Sequence, residues 1–346
     1  MVPHMLRNIA SIIVIMALSL ILVLSLNIVH QSSHEINMAV EFNNHASAVW
    51  VALEKGFFES EGLNIKTLET FTTGLELSAA LDRGDIQVAW ACLGPLIMAY
   101  SKGPITVEIR GGTDVPWSPP IDYVRNVIRY HLRLLGYEFN IELIRRGHYP
   151  RGGGLVKVHV SNPPRGLNSI ELIERGRLRE IKGRSHCVRL PKHVAERQAR
   201  AAESLLKREG IKAPISIDLE WYEQGKDPHL GPGSGIVLWA IYDKTVIGGD
   251  ALGARGKRAE IVGEEAATKL LKAMRSGMAL DKHMSDNIIP YIALARGTSI
   301  ITGEELSMHA YTNTWLVKQI LGIDVELKGE LGKPFKLRIK GAGIEF

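Results

Sequence analysis

The pattern of apolar and polar positions changes character along the chain. Ile9–Val29 holds no charged side chain and is about 21 residues long, enough to cross the hydrocarbon core of a bilayer as a helix. It follows Arg7 and gives way to Gln31, Ser32 and Ser33. That order reads as a signal peptide or signal anchor, with no Ala-x-Ala cleavage site behind it. Downstream, Ile36–Phe42, Asn64–Glu69 and Gln87–Ala91 predict strands. Ala46–Phe57 and Leu75–Leu81 predict helices between them, the first with Trp50, Leu53 and Phe57 along one face. Strands alternating with helices predict a parallel α/β layer.

From Ile105 the texture differs. Ile105–Arg110, Phe139–Arg145 and Leu155–Val160 predict strands, and Asp122–Leu135 a helix with Val124, Ile128 and Leu132 as its buried stripe. Further on, helices are predicted at Pro191–Lys207, Arg258–Arg275 and His309–Leu321, and strands at Ile215–Trp221, Ile236–Tyr242, Asp324–Leu327 and Phe335–Lys340. Three consecutive glycines end at Gly154. They permit either a sharp hairpin or a close backbone approach to a ligand.

Composition adds one contrast. With 45% hydrophobic and 23% charged residues in 346, the chain is that of an ordinary folded protein. Residues 1–103 hold five Lys/Arg against nine Asp/Glu, a balance of −4, so the remainder carries +9 of a net charge of +5. An acidic piece thus precedes a basic one, and a basic domain points weakly to phosphate-rich ligands. Cys92 and Cys187 lie too far apart in sequence for a metal-ligand spacing and read as small core residues.

Specific motifs give each piece a likeness. Val51-Ala-Leu-Glu-Lys-Gly-Phe-Phe-Glu-Ser-Glu-Gly-Leu63 and Ala80-Leu-Asp-Arg-Gly-Asp-Ile-Gln-Val-Ala-Trp90 resemble the opening of solute-binding proteins of nitrate/sulfonate/taurine-type importers. In the basic piece the motifs are Arg110-Gly-Gly-Thr-Asp114, Ser118-Pro-Pro120 and Arg146-Gly-His-Tyr-Pro-Arg-Gly-Gly-Gly-Leu155. Pro191-Lys-His-Val-Ala-Glu-Arg197, Gly231-Pro-Gly233, His283-Met-Ser-Asp-Asn287 and Ser307-Met-His-Ala-Tyr-Thr-Asn313 follow in order. This series resembles the RNA 3′-terminal phosphate cyclase family.

The resemblance implies an α/β (α+β) fold: repeated α/β units with an inserted small α/β domain. Here it would be preceded by a transmembrane or signal helix and a partial solute-binding lobe. The expected divisions are 1–34 (signal or anchor), 35–103 (partial lobe), 104–182 (second repeat), 183–256 (insert) and 257–346 (last repeat). It also implies ATP-dependent conversion of an RNA 3′-phosphate to a 2′,3′-cyclic phosphate, a ligase-class reaction through a histidine–AMP intermediate. The matching nucleophile is His309, and imidazole suits the task as a covalent nucleophile. His283, Met284, Ser285, Asp286 and Asn287 match the ATP-contacting stretch, which in the family more often ends in Gln than in Asn. Within it His283 is suited to stack on adenine, and Asp286 to orient His309 or hold a metal ion. Pro119 matches the opposite wall of the adenine slot.

Mg²⁺ is implied by phosphoryl chemistry and not by a ligand cluster, and RNA 3′ ends and ATP are the implied partners. The face of Lys192, Arg197, Arg200 and Lys207 reads either as a track for RNA phosphates or as a solvated charged surface. No match to the Glu-Gly-Gly-Gly-Gln stretch of the family's first repeat occurs in residues 1–103, so weak catalysis is expected. The alternatives are an exported solute-binding component and a fusion product without joint function. Cyclase chemistry implies a cytoplasmic location, whereas residues 9–29 imply a membrane anchor or export.

Overall fold

The computed structural model describes residues 35–41, 47–71, 74–90, 104–162, 164–223 and 225–345. The segment 9–29, the junction near residue 103 and Cys92 lie outside the described residues. Among the described residues no helix is long and apolar enough to cross a membrane. The chain divides into two compact units, residues 1–100 and 101–346.

In the first unit β1 (Glu35–Glu41) lies between β2 (Asn64–Phe71) and β3 (Val88–Trp90), all parallel. Side chains alternate across a strand, so β1 serves two small cores. Met38 and Val40 meet Val49 of α1 (Ser47–Glu54). Ala39 meets Leu77 and Ala80 of α3 (Gly74–Arg83). The long helix expected over 46–57 is broken at Gly56, whose φ of 66° is left-handed, and α2 (Phe57–Ser60) starts afresh. Its expected apolar stripe is exposed: Trp50 by 44%, Leu53 by 40% and Phe57 by 56%.

The second unit opens with an antiparallel sheet in the order β4-β6-β5, from Ile105–Gly111, Gly154–Val160 and Asn140–Arg145. The expected helix over 122–135 forms as α4 (Ile121–Tyr123), a π-helical turn (Val124–Ile128) and α5 (Arg129–Leu134). The wider turn shifts the buried stripe to Tyr123, Val127, Ile128, His131 and Leu132.

A second sheet has the order β11-β10-β8-β9, from Val246–Leu252, Gly233–Tyr242, Leu178–Val188 and Ile215–Glu220. Helices α6 (His193–Arg208) and α7 (Ala259–Ser276) pack against it and against each other. The division expected at 256/257 falls within this packed layer. Helix α7 was expected to open the last repeat, yet its Val262, Ala266, Leu270 and Leu271 share one core with Ile236, Leu238 and Ile247 of the sheet. Two glycines permit the approach. A Cβ on Gly263 would lie 2.1 Å from the Gln198 carbonyl oxygen of α6, and one on Gly249 would lie 2.6 Å from the Leu270 nitrogen. The layer runs from Leu178 to Ser276, wider than the expected 183–256.

The third sheet is built from chain on both sides of this layer. β7 (Glu171–Leu172), which precedes the layer, pairs in parallel with β12 (Thr298–Gly303), which follows it. The order is completed by β14 (Phe335–Lys340) and β13 (Val325–Lys328). The chain leaves one sheet, builds another and returns.

Candidate functional site

Two short helical starts frame the site. α8 (Lys282–Asn287) begins at Asp281, whose side chain accepts from the His283 and Met284 backbone N–H groups. The same buried carboxylate accepts from the Tyr123 hydroxyl at 2.6 Å and the Gly248 N–H at 2.8 Å, so α8 is fixed to both α4 and β11. Burial, and next the Asp281 charge, push the Tyr123 hydroxyl well above the usual phenol range. α9 (Ile289–Leu294) continues from α8, and α10 (Met308–Leu321) begins at Ser307.

Ser307 performs two tasks with one hydroxyl. It accepts from the Ala310 N–H at 3.0 Å, capping α10, and donates to Asp286 Oδ1 at 2.7 Å. Asn313 Nδ2 adds a bond to the Asp286 carbonyl oxygen at 3.3 Å. The first turn of α10, which carries His309, is therefore locked to the last turn of α8. Burial lifts the Asp286 carboxyl above its ordinary range, while the Ser307 hydroxyl, His283, His309 and Lys282 pull it down. Both histidines thus act on the same carboxylate.

A cleft of about 1070 Å³ opens here and is lined by His309, His283, Asp286, Asn287 and Pro119. Five of the seven residues singled out in sequence meet at one cavity. Met284 and Ser285 do not line it, because both are fully buried on the opposite face of the short helix. Residues 283, 286 and 287 share a face by three- and four-residue spacing, while 284 and 285 turn inward. Ser285 Oγ donates to the Lys282 carbonyl, and Asn287 Nδ2 to the His283 carbonyl at 2.7 Å.

Other lining residues were not picked out in sequence: Trp117, Tyr123, Asp250, Lys269, Lys282 and Glu305. Trp117 is fully exposed, with a φ of 64°. This backbone conformation is costly for a side chain of that size, and it presents the indole at the cleft. The sequence signal available was a tryptophan inside a Gly/Pro loop just ahead of Ser118-Pro-Pro120. Lys269 lies 3.7 Å from Asp250, and Lys282 Nζ 2.6 Å from Glu305. The cleft therefore carries both signs of charge at its wall. Among the described residues its carboxylates do not converge into a three-ligand group, so no step is assigned to a protein-held Mg²⁺.

Two further sequence features lie elsewhere in the unit. The glycine triplet is a packing device. Gly152 and Gly153 are left-handed, and a Cβ on Gly154 would lie 2.6 Å from the Gly111 carbonyl oxygen. On the basic face of α6, Lys192 pairs with Glu196, Arg197 with Glu260 and Lys207 with Glu203, while Arg200 Nε donates to the Glu196 carbonyl.

Fold and site together define an α+β protein with a nucleotide-sized cleft, a histidine at a helix start and a carboxylate held beside it. The family model of the RNA 3′-terminal phosphate cyclase matches residues 75–327. A relative of that name from Hyperthermus butylicus is 55% identical over 261 residues, 75% of this chain and 72% of its own. One from Ignicoccus hospitalis is 50% identical over 277 residues, 80% of this chain and 77% of its own. One from Methanopyrus kandleri is 44% identical over 313 residues, 87% of each chain. The chain belongs to the RNA 3′-terminal phosphate cyclase family. The family match begins at residue 75, inside α3 and well ahead of the junction expected at 103/104. The Methanopyrus match also covers more of the chain than residues 104–346, which are 243 of 346.

Proposed function

We propose that this chain converts RNA 3′-phosphates to 2′,3′-cyclic phosphates using ATP, with His309 as the covalent nucleophile. The observation that carries this reading is the convergence of His309, His283, Asp286 and Pro119 on one cleft. An Nε2 or Nδ1 lone pair of His309 forms a P–N bond to the ATP α-phosphorus as the α–β P–O bond breaks and pyrophosphate leaves. An oxygen of the RNA 3′-phosphate then attacks the AMP phosphorus and releases the imidazole. Finally the neighbouring 2′-hydroxyl attacks the activated RNA phosphorus, loses its proton and expels AMP. Asp286, anchored through Ser307, orients His309. The His283 ring and Pro119 receive the adenine, and Mg²⁺ bound with ATP would offset the charge of its phosphates.

The test is to incubate the purified chain with ATP labelled at the α-phosphate and to follow both the protein adduct and RNA end cyclisation. An adduct that forms in the wild type and is absent from His309→Ala is expected. Slower turnover than that of the Hyperthermus relative is expected from the lack of a Glu-Gly-Gly-Gly-Gln stretch. An adduct that survives His309→Ala would sink the nucleophile assignment, and a wild type without adduct or cyclisation would sink the activity. This chemistry belongs in the cytoplasm, where ATP and RNA ends are found.

For residues 35–90 the solute-binding likeness is a second reading, and the order β2-β1-β3, all parallel, is common to many α/β layers. Titration of the whole chain with nitrate, taurine or a short alkyl sulfonate tests it, and the absence of binding removes it. For residues 9–29 the anchor reading expects the full-length chain to sediment with membranes and resist alkaline extraction; recovery in the soluble fraction removes it.

A further inference from the structure

Away from the cleft, the second unit encloses a group of titratable side chains that the reaction does not use. Its centre is Arg146, which is 1% exposed. The guanidinium donates to both Asp114 oxygens at 3.2 Å, to Asp122 at 2.6 Å and to Glu220 at 2.8 and 2.7 Å. One buried cation thus faces three carboxylates, with Arg125 and Arg184 only at the solvent edge of the group. Burial alone would lift Glu220, yet Arg146 holds it down to about 2.

Beside this network sit two imidazoles with unused atoms. His186 is fully buried, and neither ring nitrogen has a hydrogen-bond partner. His148 is 8% exposed, and its Nε2 is also without one. A buried polar atom left unpaired costs about 1–3 kcal/mol, so three such atoms in one place call for a ligand. The rings stack at a tilt, 5.2 Å between centroids, and His186 Nε2 lies 3.9 Å from Asp114 Oδ1. One ligand atom from each of Asp114, His148 and His186 can be chosen so that all lie within 4.8 Å of one another.

The backbone makes room for both rings. A Cβ on Gly233 would lie 2.1 Å from His148 Cγ, and one on Gly235 2.9 Å from His186 Cε1. These two glycines point to the same face of β10, and Gly235 is the in-register partner of His186 on β8. His148 is held by backbone bridges to Asp114 and Gly152.

We propose that Asp114, His148 and His186 form a binding site for a divalent transition-metal ion, with Zn²⁺ best matched by two imidazoles and one carboxylate. Tetrahedral Zn²⁺ with ligands at about 2.0–2.2 Å holds neighbouring ligand atoms about 3.4 Å apart. From the present spacing of up to 4.8 Å the ligand atoms would have to draw together on binding. Thr113 Oγ1 donates to Asp114 Oδ2 at 2.7 Å and Arg146 to both oxygens, which fixes the carboxylate from behind as metal sites require. The ion would join the loops of the first sheet to strand β8 of the inserted layer. Asp114 also leads directly into Val115–Pro120, which lines the cleft, so the ion would brace that wall as well.

The test uses the full chain, stripped with a chelator and then given Zn²⁺ or Co²⁺ alone. One equivalent per chain is expected, with Co²⁺ giving the visible bands of a low-symmetry nitrogen/oxygen site and Zn²⁺ raising the thermal midpoint. His186→Gln and Asp114→Asn should weaken binding by at least about 100-fold, the upper range for loss of a supporting partner alone, and His309→Ala should not alter it. Circular dichroism checks that the variants fold. If they do not, X-ray absorption of the Co²⁺-loaded wild type must show two imidazoles and an oxygen ligand. A wild type that takes up neither ion, absorption lacking imidazole scattering, or equal affinity in folded His186→Gln would each overturn the proposal.

Discussion

The cleft around His309 and the group around Arg146 use the same residue types to opposite ends. In the cleft, His283 and His309 are exposed, and one serine hydroxyl holds the neighbouring carboxylate. Around Arg146, three carboxylates are committed to one guanidinium and two imidazoles are sealed from water. Exposure separates the two. A solvent-facing imidazole can meet a phosphate and leave again, whereas a sealed one must have its partners supplied by the fold or by an ion. The energetic consequences differ in proportion, since a buried charge without its partner is far costlier than an exposed one.

The largest effect is expected from Arg146→Met. It leaves Asp114, Asp122 and Glu220 facing one another without a central cation, and breaking a buried pair in this way costs about 3–5 kcal/mol. Urea unfolding of the variant against the wild type measures it. A loss below about 1 kcal/mol would show that water reaches the carboxylates and would remove the contrast with the cleft.

A third sealed imidazole extends the contrast to pH. His131 bonds the Val127 carbonyl at 2.8 Å and the Thr245 hydroxyl at 3.0 Å, and burial lowers it to about 4. Between its ordinary value near 6.5 and about 4, the unfolded chain binds the proton and the folded chain does not. Stability from this group is therefore complete above about pH 6.5 and declines as pH falls toward 4. Linkage gives about 2 kcal/mol between pH 7 and pH 5. Unfolding midpoints at the two pH values check this, and His131→Gln should flatten the difference; an unchanged slope in that variant would assign the loss to other groups.

Sequence carried the cleft further than it carried the sheets. His309, His283, Asp286, Asn287 and Pro119 meet at one cavity, and the motifs that brought them to notice are local and strongly patterned. Met284 and Ser285 face away from the cleft; a motif marks a stretch and says nothing about which side of a short helix lines a cavity. Strand β8 escaped notice because its buried positions include Gly183, Ser185 and His186, none of which reads as apolar. Strand β11 carries Gly248 and Gly249, which look like a turn but let Tyr123 and α7 approach. The metal-ligand group was invisible for a different reason: Asp114, His148 and His186 are separated by 34 and 38 positions and meet only through the pairing of β8 with β10 and the 146–154 loop.

A smaller effect is expected from Ser307→Ala, which removes a helix cap worth about 1 kcal/mol. The same change removes the hydroxyl that draws the Asp286 carboxyl down, so that carboxyl should rise further. Chemical denaturation reads the first effect, and carboxyl titration by carbon-detected resonance reads the second. If the stability falls while the Asp286 titration stays in place, Ser307 caps α10 without governing the carboxylate.

The smallest effect on stability is expected from His309→Ala. The side chain is exposed at the first turn of α10, and surface substitutions of this kind usually shift stability by no more than about 0.5 kcal/mol. Removing it leaves Ser307 as the cap, because the cap bond runs to the Ala310 N–H and not to the ring. Unfolding curves of wild type and variant should therefore superimpose while the nucleotide adduct disappears. That pairing is what distinguishes a group placed for chemistry from one placed for structure. A destabilisation above about 2 kcal/mol would put His309 in the same class as the sealed imidazoles, and loss of adduct could then no longer be read as loss of the nucleophile.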